Sequence, residues 1–271
     1  MIIFECEYYN QMWDVRDKRA DHLPLMGSIW PTVFLCIAYT YFSKVWGPNY
    51  MKNRQAMEFK GLMNLYNTVQ VVSCMIMWIN TWKGGWFKEY NWLCQNVDRN
   101  PDPNSSGMLM LMTCYYFYLS KILDFVDTIF FVIRKKNNQI TNLHVIHHAI
   151  MPVYTWIGVR WIPGGQETFL ALINAFIHVL MYSYYFLSSL GPKVKPFLWW
   201  KKYLTSLQML QFILIGIKST LVVSGVVSCG YPWQWSLVTL ILMVMFYHLF
   251  NEFYKSAYFA SKAKQNGLKS N

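Results

Sequence analysis

Three histidines stand close together in an otherwise apolar stretch of the chain. His144, His147 and His148 form the run HVIHH, and spacings of three and four residues place their rings on one face of a helix. A fourth histidine, His178, lies in the next apolar segment. An imidazole at membrane depth is costly and indicates a function. Three kinds of chemistry fit this group: metal binding, proton transfer and attack on a carbonyl carbon.

Metal binding is the first alternative, and the sequence supplies few ligands for it. Membrane di-iron desaturases and hydroxylases use histidine clusters of this spacing but need more histidines than the six of this chain. No cysteine or carboxylate joins the histidines at ligand spacing, so the remaining metal site is a single zinc ion held by HVIHH and His178. Neutral imidazole can instead attack a thioester and hold the acyl group. We therefore predict acyl chemistry without a bound metal.

Polar residues recur at helical spacing in three further apolar segments. We call each set of polar residues on one helix face a polar row. A single polar row is typical of interhelical hydrogen bonds or of a structural ion pair. Together with the histidine run, these rows predict a polar chamber inside a helix bundle. The rows are Lys121, Asp124, Asp127 and Thr128; then Asn174, His178, Met181, Tyr182 and Tyr185, with Tyr184 beside them; and Thr205, Gln208 and Gln211.

The composition indicates which elements must position these residues. Of the 271 residues, 55% are hydrophobic and only 14% are charged, whereas about 25% are charged in a soluble domain. We predict an all-α membrane protein with a single domain over residues 1–258, which includes a polar segment 1–22, and a basic tail over 259–271. Each of seven candidate spans is close to the ~20 residues that cross a bilayer. They are Leu23–Tyr41, Gly61–Trp82, Leu109–Ile133, His144–Trp161, Glu167–Leu190, Leu204–Val223 and Trp235–Tyr254.

The distribution of positive charge predicts the orientation of these spans. The segments after spans one, three and five, with the C-terminal tail, carry 15 Lys and Arg residues, against seven on the opposite side. The positive-inside rule then places the C-terminus in the cytosol and the N-terminus in a lumen or outside. The net charge of +11 comes mostly from the cytosolic face. Contact with anionic lipid headgroups is one explanation of this positive charge. The more specific explanation is that the same face also binds a polyanionic ligand.

Two features of the loops placed outside agree with this orientation. Cys94 and Cys229 both fall in such loops, and we predict a disulfide between them because that compartment permits disulfides. Two free cysteines are the alternative. Asn104 begins the triplet Asn-Ser-Ser, a weak prediction of N-glycosylation.

The four polar rows resemble, in order, the sequence boxes of the ELO family of very-long-chain fatty acid elongases. HVIHH resembles the box HxxHH, and KILDFVDT, from Lys121 to Thr128, resembles KxxExxDT. HVLMYSYY, from His178 to Tyr185, matches HxxMYxYY, and TSLQMLQ, from Thr205 to Gln211, matches TxLQxxQ. Asp124 stands where the family usually has Glu. The resemblance extends over about residues 27–258.

The resemblance implies a 3-oxoacyl-CoA synthase of the endoplasmic reticulum membrane. Such an enzyme condenses a long-chain acyl-CoA with malonyl-CoA and releases CO2, CoA and a 3-oxoacyl-CoA two carbons longer. It implies seven helices, six of them around a narrow acyl-chain tunnel, and no bound cofactor. Lys218 either snorkels from the far end of span six or forms the floor of that tunnel. The implied partners are the lipid bilayer, the reductases and dehydratase of the elongation cycle and a second copy of the chain, but not nucleic acid.

For the residues of the rows we predict a ping-pong mechanism through an acyl-histidine. We expect His147 to attack the acyl thioester, with His144 and His148 orienting it, and His178, Asn174 and Tyr184 to stabilise the enolate of malonyl-CoA. His148 or His178 as the nucleophile, or histidines acting only as bases, are the alternatives. The expected contacts to substrate and CoA are Lys121, Asp124, Asp127, Arg134, Tyr182, Tyr185, Lys201, Lys202, Gln208, Gln211 and Lys255.

Two other functions fit parts of the pattern. A histidine-box di-iron desaturase or hydroxylase would use the same HVIHH run. A lipid-binding membrane protein without catalytic activity would use the same bundle. We favour the elongase because all four boxes occur in order.

Overall fold

The computed structural model of the chain describes residues 13–259, and all regular structure within that range is helical. Residues 1–12 of the predicted polar segment and residues 260–271 of the predicted tail lie outside the described residues. The helices, numbered in chain order, are α1 (Trp30–Tyr41), α2 (Gly47–Met51), α3 (Lys60–Thr81), α4 (Ser106–Leu123), α5 (Phe125–Ile133), α6 (Asn142–Trp161), α7 (Thr168–Ser189), α8 (Lys201–Val223) and α9 (Trp233–Tyr254).

Side-chain caps determine where two of the site-bearing helices begin. Ser105 Oγ accepts a hydrogen bond from the backbone N–H of Met108 at the start of α4. Thr141 Oγ1 accepts one from the backbone N–H of His144 at the start of α6. Such caps satisfy N–H groups that have no partner in the first helical turn. The second cap therefore places His144 in the first turn of α6.

Two predicted spans differ from the observed helices. The predicted helix Leu109–Ile133 is interrupted at Asp124, which separates α4 from α5. The predicted start at Leu23 was seven residues too early, because α1 begins at Trp30. The apolar side chains before Trp30 are buried against α4 and α6 instead of forming a helix, so hydrophobicity alone misplaced this boundary.

Six of the helical segments form a closed ring. Going around it, α6 contacts α4, α4 contacts α3, α3 contacts α7, α7 contacts α8, α8 contacts α9, and α9 contacts α6 again. The helix α1 packs on α6 from outside this ring. Thr128 of α5 contacts His144 at the start of α6, and Asp127 of α5 contacts Tyr182 in the second half of α7. The start of α6 and the end of α7 therefore lie at one end of the ring, which we call the histidine end.

Four helical stretches of the described residues are long and apolar enough to cross a membrane: Lys60–Trp86, Thr168–Ser189, Lys195–Val223 and Trp233–Phe259. They correspond to α3, α7, α8 and α9. The other predicted spans fall on α1, on α4 with α5, and on α6. Many large apolar side chains of α1, α3, α8 and α9 are exposed on the outside of the ring, for example Phe34, Leu65 and Ile241. An outer apolar surface of this kind suits lipid.

The loops at the other end of the ring are tied together covalently. Cys94 and Cys229 form a disulfide with a Cα–Cα distance of 5.7 Å, which confirms the predicted pair. We call this the disulfide end. Lys218 Nζ donates a hydrogen bond to the carbonyl of Trp92 in the same loop and lies 4.8 Å from the ring centre of Trp86. This contact agrees with the snorkelling interpretation of Lys218, because the ammonium group reaches the loop at the helix end.

Candidate active site

The three histidines of α6 lie side by side on one face of the helix. The ring centres of His144 and His148 are 4.3 Å apart, and those of His147 and His148 are 5.4 Å apart. Their spacing along one helix produces this grouping. Pro152 lies four residues after His148 and has no N–H, so the carbonyl of His148 lacks its usual helical partner.

His144 is held by a chain of hydroxyl groups from two other helices. Its Nε2 atom lies 2.7 Å from Thr128 Oγ1, and Thr128 Oγ1 lies 2.9 Å from the hydroxyl of Tyr39. Thr128 belongs to α5 and Tyr39 to α1. The three groups are buried or half-buried, so the orientation of this imidazole is defined by hydrogen bonds rather than by packing alone.

One ring nitrogen of His147 is fully buried and has no hydrogen-bond partner among the described residues. Its Nδ1 atom is buried and makes no hydrogen bond within residues 13–259. The ring centre lies 4.8 Å from that of Phe246 on α9. A buried nitrogen without a partner is unusual in a protein. Here it leaves a lone pair or a proton available to a bound molecule.

Lys121 lies at the centre of the polar residues. Its Nζ atom is 3.2 Å from Asp124 Oδ2 and 3.3 Å from Asn174 Oδ1, and only 2% of the residue is exposed. The ammonium group thus connects Asp124, at the junction of α4 and α5, with Asn174 of α7.

The two aspartates are joined by Tyr182 of α7. The Tyr182 hydroxyl lies 3.1 Å from Asp124 Oδ1 and 2.7 Å from Asp127 Oδ2. Gln70 Nε2 donates a second hydrogen bond to Asp124 Oδ1 at 2.8 Å and another to the hydroxyl of Tyr66 at 2.9 Å. Five polar side chains from α3, the α4–α5 junction and α7 therefore form one buried network.

Sequence reasoning missed Tyr66 and Gln70 of this network, and it missed Tyr39, which bonds Thr128 beside His144. Tyr66 and Gln70 are four residues apart on α3, so their spacing was a signal that they share a helix face. Tyr39 shares a buried face with Thr32, seven positions before it, and Ser43, four positions after it, so its spacing was a signal as well.

The predicted residues of α7 and α8 contribute to the same buried region as Lys121. The rings of His178 and Tyr182 are 5.7 Å apart. Asn174 Nδ2 donates a hydrogen bond to Gln211 Oε1 at 3.3 Å, and Gln208 Nε2 donates one to the sulfur of Met181 at 3.6 Å. All four predicted rows thus contribute side chains to a single buried region inside the ring.

Several predicted site residues lie outside this region. The ring of Tyr184 packs 5.2 Å from that of Trp200, away from the contacts of His178. Tyr185 is at the exposed end of its row. The basic residues expected to meet CoA lie at the histidine end: Arg134 is half-buried, and Lys201, Lys202 and Lys255 are exposed. Their roles stay predictions, as does glycosylation of the exposed Asn104.

The chamber has no evident metal site among the residues that the structure describes, because no three His, Cys, Asp or Glu side chains are grouped there as metal ligands. Asp124 and Asp127 are already engaged by Tyr182, Gln70 and Lys121. The arrangement offers instead a free imidazole nitrogen, a buried cation and several amide and hydroxyl donors. Such groups suit acyl transfer, in which an oxyanion or enolate must be stabilised.

Comparison with known proteins identifies the relatives of the chain. The ELO family model, described as the GNS1/SUR4 family, matches residues 24–266. A very long chain fatty acid elongase of Aedes aegypti is 43% identical over 92% of this chain and 69% of the relative. Very long chain fatty acid elongase 7 of Drosophila melanogaster is 40% identical over 93% of this chain and 77% of the relative. Very long chain fatty acid elongase 4 of Homo sapiens is 37% identical over 98% of this chain and 85% of the relative.

These matches extend over nearly the whole chain, including all four polar rows. The structure also has several apolar helices of membrane-spanning length. The family match and these helices together indicate a multi-pass membrane protein. The chain belongs to the ELO family.

Proposed function

We propose that the protein is a very-long-chain 3-oxoacyl-CoA synthase, which elongates an acyl-CoA by two carbons at the expense of malonyl-CoA. The observation that carries this proposal is the convergence of the four polar rows in one buried region, where Lys121 bonds Asp124 and Asn174 and where His147 has a buried Nδ1 atom without a hydrogen-bond partner. The family match and the names of the relatives support the same activity. A lipid-binding protein without catalytic activity would bind acyl-CoA and form no elongated product.

The first half-reaction uses His147. Its free Nδ1 atom attacks the carbonyl carbon of the acyl-CoA thioester, a C–N bond forms, and the C–S bond breaks. The proton on the other ring nitrogen leaves with CoA as its thiol, passed by the neighbouring His148. The result is an acyl-imidazole on His147. His144, held by Thr128, keeps the histidine face in position.

The second half-reaction uses the groups on α7. Malonyl-CoA loses CO2, and the electron pair of the broken C–C bond gives an enolate. His178 and Asn174 stabilise that enolate by hydrogen bonding, and the charge of Lys121 assists. The enolate carbon attacks the acyl carbon, the C–N bond to His147 breaks, and the imidazole takes a proton from solvent. The product is a 3-oxoacyl-CoA two carbons longer.

The ring of helices is the proposed binding site of the acyl chain. We propose that the seven predicted spans cross the membrane and that the six segments of the ring surround the acyl chain, with α1 outside them. Burial of each methylene contributes about 0.8 kcal/mol, so an apolar lining favours long chains. The histidine end lies on the cytosolic side of the endoplasmic reticulum membrane. Its exposed lysines bind the phosphates of CoA there.

An elongation assay tests the proposed activity directly. Membranes containing the protein are incubated with a panel of acyl-CoAs and radiolabelled malonyl-CoA, and the labelled 3-oxoacyl products are separated by chain length. The proposal predicts labelled product for at least one long-chain acyl-CoA and none for His147→Ala. Absence of product with every acyl-CoA would contradict it. Bound iron together with desaturated or hydroxylated product would identify a desaturase or hydroxylase instead.

A further inference from the structure

The helix α1 lies outside the ring, yet one of its residues belongs to the hydrogen-bonded chain that ends at His144. Tyr39 is 5% exposed, and its hydroxyl lies 2.9 Å from Thr128 Oγ1. The ring of Tyr39 stacks on that of Phe125, with 4.2 Å between the ring centres and 12° between the planes. Thr128 and Phe125 both belong to α5. Stacking and hydrogen bonding to the same helix therefore hold the phenol of Tyr39 in one orientation.

The chain from Tyr39 to His144 consists of two hydroxyl groups and one ring nitrogen. Thr128 is completely buried, and its Oγ1 atom lies 2.7 Å from His144 Nε2. Neither hydroxyl has another hydrogen-bond partner within residues 13–259. A buried O–H group without an acceptor is costly. The protons of Tyr39 and Thr128 therefore both require an acceptor inside this chain.

Only one arrangement of the protons meets that requirement. The Tyr39 hydroxyl donates to Thr128 Oγ1, and the Thr128 hydroxyl donates to His144 Nε2. If Nε2 carried a proton and donated it to Thr128, the proton of either Thr128 or Tyr39 would lack an acceptor. A neutral imidazole that accepts at Nε2 carries its own proton on Nδ1. The phenol of α1 thus determines which nitrogen of His144 is protonated.

We propose that Tyr39 is a positioning residue of the reaction, which fixes His144 as the tautomer with its proton on Nδ1. The part of this inference that concerns the rate rests on the proposed elongase function, whereas the tautomer rests on the hydrogen bonds alone. His144 Nδ1 makes no hydrogen bond to the residues that the structure describes. The ring centre of His148 is 4.3 Å from that of His144. His144 therefore offers an N–H group within the histidine run and serves as a hydrogen-bond donor, not as a base.

Nitrogen NMR of the purified protein tests the tautomer directly. Isotopically labelled histidine distinguishes the two ring nitrogens by their chemical shifts, and the signals of His144 are those lost in His144→Asn. We expect the proton on Nδ1 in the wild type. In Tyr39→Phe we expect a second population with the proton on Nε2, because Thr128 can then accept from the imidazole. A wild type with the proton on Nε2, or a Tyr39→Phe variant with the wild-type spectrum, would overturn the proposal.

The rate of elongation should follow the tautomer. We expect Tyr39→Phe to lower kcat by about 10- to 100-fold with little change in the KM for acyl-CoA, because a misoriented group costs rate more than affinity. Tyr39 reaches the imidazole only through Thr128, so adding Tyr39→Phe to Thr128→Val should cause no further loss. Wild-type kcat in Tyr39→Phe, or an additional loss in the double variant, would overturn the role of Tyr39.

Tyr118 provides a matched control for the loss of a buried tyrosine hydroxyl. Its hydroxyl lies 2.7 Å from Thr32 Oγ1, and both residues are completely buried. This pair also joins α1 to another helix, but it has no hydrogen bond to the described histidines. We expect Tyr118→Phe to lower the unfolding temperature in detergent about as much as Tyr39→Phe, with wild-type kcat and the wild-type signals of His144. An equal loss of kcat in both variants would overturn the positioning role.

The two measurements separate this inference from the proposed function. A wild type that elongates no acyl-CoA would contradict the proposed function, and the tautomer of His144 could still be measured. An active wild type with the proton of His144 on Nε2 would overturn the role of Tyr39 alone. If Tyr39→Phe does not fold, the tautomer of the wild type decides the proposal.

Discussion

The hydroxyl of Tyr182 lies 2.7 Å from Oδ2 of Asp127. The same hydroxyl lies 3.1 Å from Asp124 Oδ1. A tyrosine has one proton to donate, so it cannot satisfy both carboxylates as a donor at the same time. Gln70 and Lys121 supply the remaining donors to Asp124. The geometry of the carboxylate pair, and with it the position of Lys121, therefore depends on one phenolic hydroxyl from α7.

Replacing Tyr182 by Phe should weaken both the fold and the activity. The change leaves two buried carboxylates with one donor fewer, which costs about 1–3 kcal/mol. We expect a lower midpoint of thermal unfolding in detergent and a reduced rate of elongation. Tyr116→Phe is the matched control, because Tyr116 is 51% exposed on α4 and should retain wild-type values. A Tyr182→Phe protein with the stability of the wild type would show that the hydroxyl does not support the pair.

Removing the charge of Lys121 should be more damaging. Breaking a buried ion pair by deleting one partner costs about 3–5 kcal/mol because the other charge stays buried. We therefore expect Lys121→Met to unfold at a lower temperature and to be inactive. The double variant Lys121→Met with Asp124→Asn removes both charges and keeps an oxygen that accepts from Gln70. It should recover part of the stability but no activity, and recovery of activity would mean that Lys121 is only structural.

The hydrogen bond between Thr128 and His144 predicts a kinetic effect without a loss of fold. Thr128→Val preserves shape and removes the group that orients the imidazole. A small misplacement of a catalytic group can lower the rate about 100-fold, so we expect kcat to fall while the KM for acyl-CoA changes little. Thr68→Val on the outer face of α3, where the hydroxyl bonds only its own helix, is the control. A larger effect on KM than on kcat would place Thr128 in substrate binding instead.

The disulfide predicts a stability effect without a kinetic one. Cys94 and Cys229 are 135 residues apart in sequence, and loss of such a cross-link costs about 2–5 kcal/mol. Cys94→Ser, Cys229→Ser and the double variant should all show the same reduced unfolding temperature, as should the wild type after reduction. Activity below the unfolding temperature should persist. Different values for the single and double variants would show that the cysteines act separately.

The sequence was sufficient to predict the helical class and most of the chamber. The residues Lys121, His147, His178 and Gln211 have side chains that are rare inside apolar helices, and each falls at helical spacing with others of its kind. Such residues can be recognised without coordinates because their burial is costly. A different argument predicted the disulfide: the positive-inside rule places both cysteines on the side of the membrane that permits disulfides.

Other features depend on contacts that no local pattern records. The break at Asp124 arises where a buried carboxylate meets Lys121, Gln70 and Tyr182, which belong to three different helical segments. Tyr184 is adjacent in sequence to Tyr185 and two positions from Tyr182, yet it packs on Trp200. Residues two apart on a helix point in different directions, so membership of a sequence box did not decide which tyrosine reaches the chamber.

The most direct test of the proposed mechanism is the search for an acyl group on His147. Purified protein is incubated with a long-chain acyl-CoA in the absence of malonyl-CoA, digested and analysed by mass spectrometry. We predict a mass increase equal to the acyl group on the peptide that contains His147, lost when malonyl-CoA is added and absent from His147→Ala. An active protein that carries no acyl group on any histidine would contradict the covalent mechanism.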